Sequence, residues 1–282
     1  MLSFGERLDA VFSASGRLCL GIDPHAFLLD AWNLPDSAAG AREFGLRCVD
    51  VAAGVVGIVK PQVAFFERFG SAGFSALEAV LAAARGAGLL VIADAKRGDV
   101  GSTVAAYGAA WLTPGSALEA DAMTLSAYQG VGSLTDVISL ADAGGKGLFI
   151  LAATSNPESV DTQTAVRDRG QHRGRTVAAS IVGDVQQLNS SASGLGSVGV
   201  VIGATVRSAD YGIEATSLSK TPVLAPGFGE QGALIADLPA LFGSVSGNVI
   251  ANLGRSVLRA GPDGARSELS TQAAVLAEGV AP

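Results

Sequence analysis

The chain has 282 residues, of which 49% are hydrophobic and 16% charged, enough apolar material for a large core and too little charge for a disordered chain. A formal net charge of −7 argues against a general nucleic-acid binder, so an anionic substrate would need a local positive pocket rather than a basic surface. Two cysteines, Cys19 and Cys48, read as buried thiols, and two distant histidines, His25 and His172, offer no zinc cluster.

The opening MLSFGERLDAVF mixes acidic and basic residues and lacks the apolar core of a signal peptide. No run approaches the roughly 18 apolar residues of a membrane span, so a soluble cytoplasmic protein is expected. Residues 4–14 read as a helix covering the bottom of whatever follows. From there apolar segments recur: 18–22 ending at Asp23-Pro24, 55–59 ending at Lys60-Pro61-Gln62, and 89–94 running into Ala95-Lys96. Then come 122–125 ending at Ser126, 148–151 running into Thr154-Ser155-Asn156-Pro157, and 198–202 leading to Gly203. The last two are 222–225, followed by Pro226-Gly-Phe-Gly-Glu-Gln231-Gly232, and 248–251, followed by Asn252-Leu253-Gly254-Arg255-Ser256.

Runs that are apolar throughout suit parallel strands buried on both faces. Stretches rich in helix formers lie between them, 75–85 and 176–188 being the clearest. Eight strand–helix units in this length predict one α/β domain over 1–282, a (β/α)8 TIM barrel, with a doubly wound sheet as the alternative. The widest irregular stretch, 158–175, carries Arg167, Arg169, Arg173 and Arg175 and reads as a solvated loop.

In such a barrel the reactive groups sit at the C-terminal strand ends. Those ends supply Asp23, Lys60, Asp94 and Lys96, two carboxylates and two ammonium groups from three consecutive strands. Alternation places Asp94 and Lys96 on one strand face. A lysine between carboxylates stays protonated, which suits it to donate a proton or to face a developing anion. The competing reading is a strand-end ion-pair network. Asp99 lies past Gly98, on a turn that points away from its own pocket. The loops after the seventh and eighth runs, with Gln231, Gly254 and Arg255, fit a phosphate site, although Arg255 alone could be an ordinary surface arginine. Gly227-x-Gly229-x-x-Gly232 also spells a dinucleotide fingerprint, but the next strand ends in Asn252 rather than an acid.

The string Asp94-Ala-Lys96-Arg-Gly-Asp99, with Thr103 four residues on, resembles the D-x-K-x-x-D signature of orotidine 5'-phosphate decarboxylases, closest to their longer, mostly bacterial subgroup. Lys60-Pro61-Gln62, Thr154-Ser155-Asn156-Pro157 and Gly254-Arg255-Ser256 extend the resemblance over nearly the whole chain. The resemblance implies cofactor-independent conversion of orotidine 5'-phosphate (OMP) to UMP and CO2 in pyrimidine biosynthesis, by a homodimer with shared sites. It implies that Lys96 protonates C6 of the pyrimidine, that Asp94 sits near the substrate carboxylate, and that Lys60 and Asp99 complete the charge network. It further implies that Asp23 and Lys60 hold ribose, Ser155 reads the pyrimidine, and Gln231 and Arg255 bind phosphate, with Pro226 opening the closing loop and Gly254 beside Arg255. Asp99 and Thr103 would enter the partner's site. Magnesium-dependent sugar-phosphate decarboxylases and aldolases share the acid motif and form the alternative, as does a non-catalytic phosphate-ligand-binding barrel.

Overall fold

Eight parallel strands pair in chain order and the eighth returns to the first, closing a (β/α)8 barrel. The computed structural model describes residues 1–279. The strands are β1 (Leu18–Ile22), β2 (Ile58–Pro61), β3 (Leu90–Arg97), β4 (Ala122–Leu125), β5 (Gly147–Ala153), β6 (Val198–Ile202), β7 (Val223–Pro226) and β8 (Val249–Leu253). Among the described residues no helix is long and apolar enough to cross a membrane.

Each strand buries both faces, which is why no polar alternation marks it in the sequence. Leu18, Leu20 and Ile22 of β1 face the helix layer, whereas Cys19 points into the barrel with Ile58, Ile92, Phe149 and Ile250. The helices Ala38–Ala52, Gly70–Gly86 and Val177–Leu188 cover the outside with apolar faces. Cys19 and Cys48 are free, buried thiols.

The helix Phe4–Ser15 starts with a capping box, in which Ser3 accepts from the Glu6 N–H and the Glu6 carboxylate accepts from the Ser3 N–H. Its Phe4 and Leu8 join the interior cluster, Phe4 meeting Phe149 edge-on with centroids 5.9 Å apart. A Cβ at Gly147 would lie 2.4 Å from the Phe4 ring, so the start of β5 has room only for glycine. The helix thereby plugs the strands' N-terminal mouth with hydrocarbon, while Arg7 of the same helix pairs with the buried Asp121 ahead of β4.

Five strands differ in their bounds from the sequence reading, and the differences in β2, β3 and β8 bear on the site. The second strand begins at Ile58 rather than Val55, because Gly54, with φ +74°, turns the chain while Val55 and Val56 still belong to that turn. Lys60 therefore lies inside β2, paired in register with Gly21, instead of following it. The eighth strand likewise extends to Leu253 and takes Asn252 into the barrel wall. β3 runs three residues past Asp94, with a register shift against β4 between Ala93 and Arg97. The 158–175 stretch is partly ordered by a short helix, Ser159–Gln163, and by the bridge between Val166 and Thr176, and its four arginines are exposed as expected.

Candidate active site

At the C-terminal mouth lies a cavity of about 450 Å³, lined by residues that include Asp23, Lys60, Asp94, Lys96, Ser155 and Arg255. Its floor is built around Asp94, the last inward residue of β3 before the strand shifts register. The Asp94 carboxylate takes four donors. Lys60 Nζ donates to Oδ2 at 2.9 Å and Gln62 Nε2 to the same oxygen at 3.0 Å. Lys96 Nζ donates to Oδ1 at 2.6 Å and Thr124 Oγ1 to the same oxygen at 2.9 Å.

This satisfaction offsets a large desolvation cost. Burial alone would raise the Asp94 pKa, but the Lys60 and Lys96 ammonium groups outweigh it and hold the carboxyl far below the usual range. Burial alone would lower Lys60, yet the Asp94 and Asp23 carboxylates push it above its ordinary value. Lys60 is therefore a fixed charge, 3% exposed, with no route to neutrality near pH 7. Lys96 differs, since 44% of its side chain reaches solvent. Of the two cations on Asp94, only Lys96 is open to water.

Asp94 and Lys96 do meet, but simple alternation is not the reason. Lys96 adopts φ +49°, a left-handed conformation that lysine rarely takes, and its N–H donates to Thr124 Oγ1 at 2.9 Å. A conformation of this kind costs about 1–3 kcal/mol and persists only where its surroundings hold it. Here the Thr124 hydroxyl holds both the Lys96 backbone and the Asp94 carboxylate, so one side chain aims the cation and anchors the anion.

The other side of the cavity comes from the ends of the last four strands. Ser155 Oγ donates to Gln231 Oε1 at 3.0 Å, tying the segment after β5 to the loop after β7. That loop turns through Gly227, Gly229 and Gly232, all at positive φ. A Cβ at Gly229 would come within 2.4 Å of Ser256 Oγ, so this glycine lets the loop lie against the segment that follows β8. The three glycines lie in a loop of a closed barrel rather than in a dinucleotide-binding fold. Pro226 ends β7, and Gly254 delivers Arg255 to the rim.

Asp23 lines the cavity, and its Oδ1 is buried without a hydrogen-bond partner, as is Oδ1 of Asn252. Buried acceptors without donors are costly, so both are ready for ligand hydroxyls or water. Asp99 and Thr103, by contrast, do not line this cavity. Asp99 Oδ1 accepts from the Val100 N–H at 2.8 Å, and Thr103 is exposed on the helix Gly101–Leu112. His25 is also absent from the lining. It packs against Phe27 and Phe65, and burial holds its pKa below the ordinary value.

The chain is similar to known proteins over most of its length. The sequence model of the orotidine 5'-phosphate decarboxylase / HUMPS family matches residues 16–268. The chain belongs to that family. It is 48% identical over 263 residues to an orotidine 5'-phosphate decarboxylase of Salinispora tropica, covering 93% of this chain and 92% of that one. A Nocardioides enzyme of the same name is 49% identical over 259 residues, covering 92% and 93%. The solved Leishmania donovani OMP decarboxylase superposes with a TM-score of 0.75 at 30% identity, covering 98% of both chains. The family thus supplies the barrel, while the charge array is read from this chain's own side chains.

Sequence reasoning missed four residues of this orotidine 5'-phosphate decarboxylase family site. Gln62 and Thr124 ligate Asp94, Asn252 forms part of the wall, and Glu230 stands beside Arg255. Thr124 carried a usable signal, a hydroxyl in an otherwise apolar inward position of β4. Glu230 carried none, because its partners are set by the folding of the loop.

Proposed function

We propose that this protein decarboxylates orotidine 5'-phosphate to UMP and CO2, with no metal or organic cofactor. The observation that carries the reading is the buried Asp94 carboxylate shared by Lys60 and Lys96 at the floor of the cavity. Loss of CO2 breaks the C6–carboxylate bond and leaves its electron pair on C6, in the ring plane, where conjugation cannot spread it. The barrier then falls only if a fixed cation faces that pair and a proton is at hand. Lys96 supplies both, passing one ammonium proton to C6 and recovering another from solvent through its exposed side. Asp94 and Lys60 hold it in place, and Asp94 lies near the departing carboxylate.

Asp23 and Lys60 hold the ribose, Ser155 reads the pyrimidine edge, and Gln231 with Arg255 grips the phosphate, Pro226 and Gly254 setting where those loops leave their strands. Asp99 and Thr103 act in the neighbouring subunit of a homodimer. The alternative reading, a sugar-phosphate decarboxylase or aldolase that shares the D-x-K-x-x-D acids, would need magnesium. An assay separates the two. OMP turnover should persist after exhaustive treatment with EDTA, whereas activity lost on chelation and restored by magnesium would transfer the chain to the sugar-phosphate branch.

Phosphate recognition gives a second check. Arg255→Ala is expected to weaken activity on OMP, while orotidine lacking the phosphate should be turned over equally poorly by variant and parent. Remote binding energy closes the loop and lowers the barrier at the reacting carbon, so it is lost with either the phosphate or its ligand. Equal losses on both substrates would make Arg255 structural.

A further inference from the structure

The cavity rim contains an anion that the proposed chemistry does not use. Glu230 is the acidic residue of the loop after β7 and lines the cavity together with Arg255. Its Oε1 lies 2.9 Å from Nη2 of Arg259 and 3.9 Å from Nη1 of Arg255, so a single oxygen stands between two guanidinium groups. The arginines are one helical turn apart, with the Arg259 N–H donating to the Arg255 carbonyl at 3.0 Å, which puts both on the side facing the loop. Arg259 is not part of the cavity lining. Its guanidinium lies over the Phe27 ring, 5.4 Å from the centroid.

A carboxylate next to Arg255 competes with substrate phosphate for the same forked donors. The two distances show where Glu230 goes instead: it makes its short contact with Arg259 and only a loose one with Arg255. We propose that Arg259 is a positioning residue, which holds Glu230 off Arg255 and so keeps Arg255 open to the phosphate. Removing Arg259 leaves Arg255 as the remaining partner of Glu230, and the loop anion then occupies the phosphate's place. Glu230 in turn screens two arginines that would otherwise repel each other across one turn of helix. The inference rests on the phosphate site proposed above.

The test is a double-mutant cycle read by KM and kcat for OMP and by calorimetric binding of UMP and of inorganic phosphate. Arg259→Ala should raise KM and weaken both ligands by about threefold, the scale of a partly exposed ion pair, with kcat at saturation little changed. Glu230→Gln alone should bind both ligands as tightly as the parent or tighter. Adding Glu230→Gln to Arg259→Ala should restore binding, and Arg259→Lys should rescue it in part, which a loss of folding would not allow. The inference is overturned if Arg259→Ala binds like the parent. It is equally overturned if the double variant stays as weak as Arg259→Ala, because Arg259 would then act directly on phosphate or on the fold. A parent that fails to turn over OMP refutes the functional reading instead, and the phosphate-binding arm still decides the role of Arg259.

Discussion

Lys96→Ala is expected to lower turnover of OMP by at least about 10³-fold, since a preorganised electrostatic donor is worth ~10²–10³ and a general acid ~10²–10⁴. Both contributions reside in one ammonium group. The substitution should leave the fold intact for a specific reason. Asp94 keeps three of its donors, Lys60, Gln62 and Thr124, so the buried carboxylate is not orphaned. Removing Lys60 instead would strip the carboxylate of its most buried counter-ion, which costs several kcal/mol in a site of this kind. UMP binding to the Lys96→Ala protein should weaken far less than turnover falls, because the proposed phosphate ligands, Gln231 and Arg255, lie on the segments that follow β7 and β8. Thermal melting, UMP titration and a decarboxylation assay on one preparation check all three expectations. Near-normal turnover would remove Lys96 from the reaction.

Restored activity on mixing two dead proteins is the second large effect expected. Asp99 and Thr103 lie outside the cavity of their own chain, on a segment whose neighbouring Val100 is 52% exposed. If they complete the partner's site in a two-fold dimer, the exchange is reciprocal. Asp99→Ala and Lys96→Ala dimers should each be nearly inactive. After random subunit exchange about half the dimers are mixed, and each mixed dimer holds one intact site and one doubly damaged site, so activity should return to about a quarter of the parental level. Mass labelling verifies that exchange has occurred. Exchange without recovery would mean that Asp99 serves its own chain.

The sequence by itself determined the barrel and the chemistry at its mouth. Apolar runs that end in Asp23, Lys60 and Asp94 cannot place those charges among the helices, so the runs declare both the strands and the polar end. The D-x-K-x-x-D string likewise declares its own spacing, since Asp94 and Lys96 are two residues apart in any fold. What only the tertiary structure decided is how neighbouring strands share those groups. The register of Gly21 with Lys60 draws Lys60 into the wall of β2, and Lys96 takes a left-handed conformation within the shift between β3 and β4. Thr124, 30 residues from Asp94, becomes its ligand only when the barrel closes. The shifted strand boundaries and the cross-strand contacts were illegible for the same reason: both depend on pairing between distant segments, whereas a run of apolar residues reports only that it is buried. The position of Glu230 between Arg255 and Arg259 is a further case, because it follows from the folding of a loop that carries three glycines at positive φ.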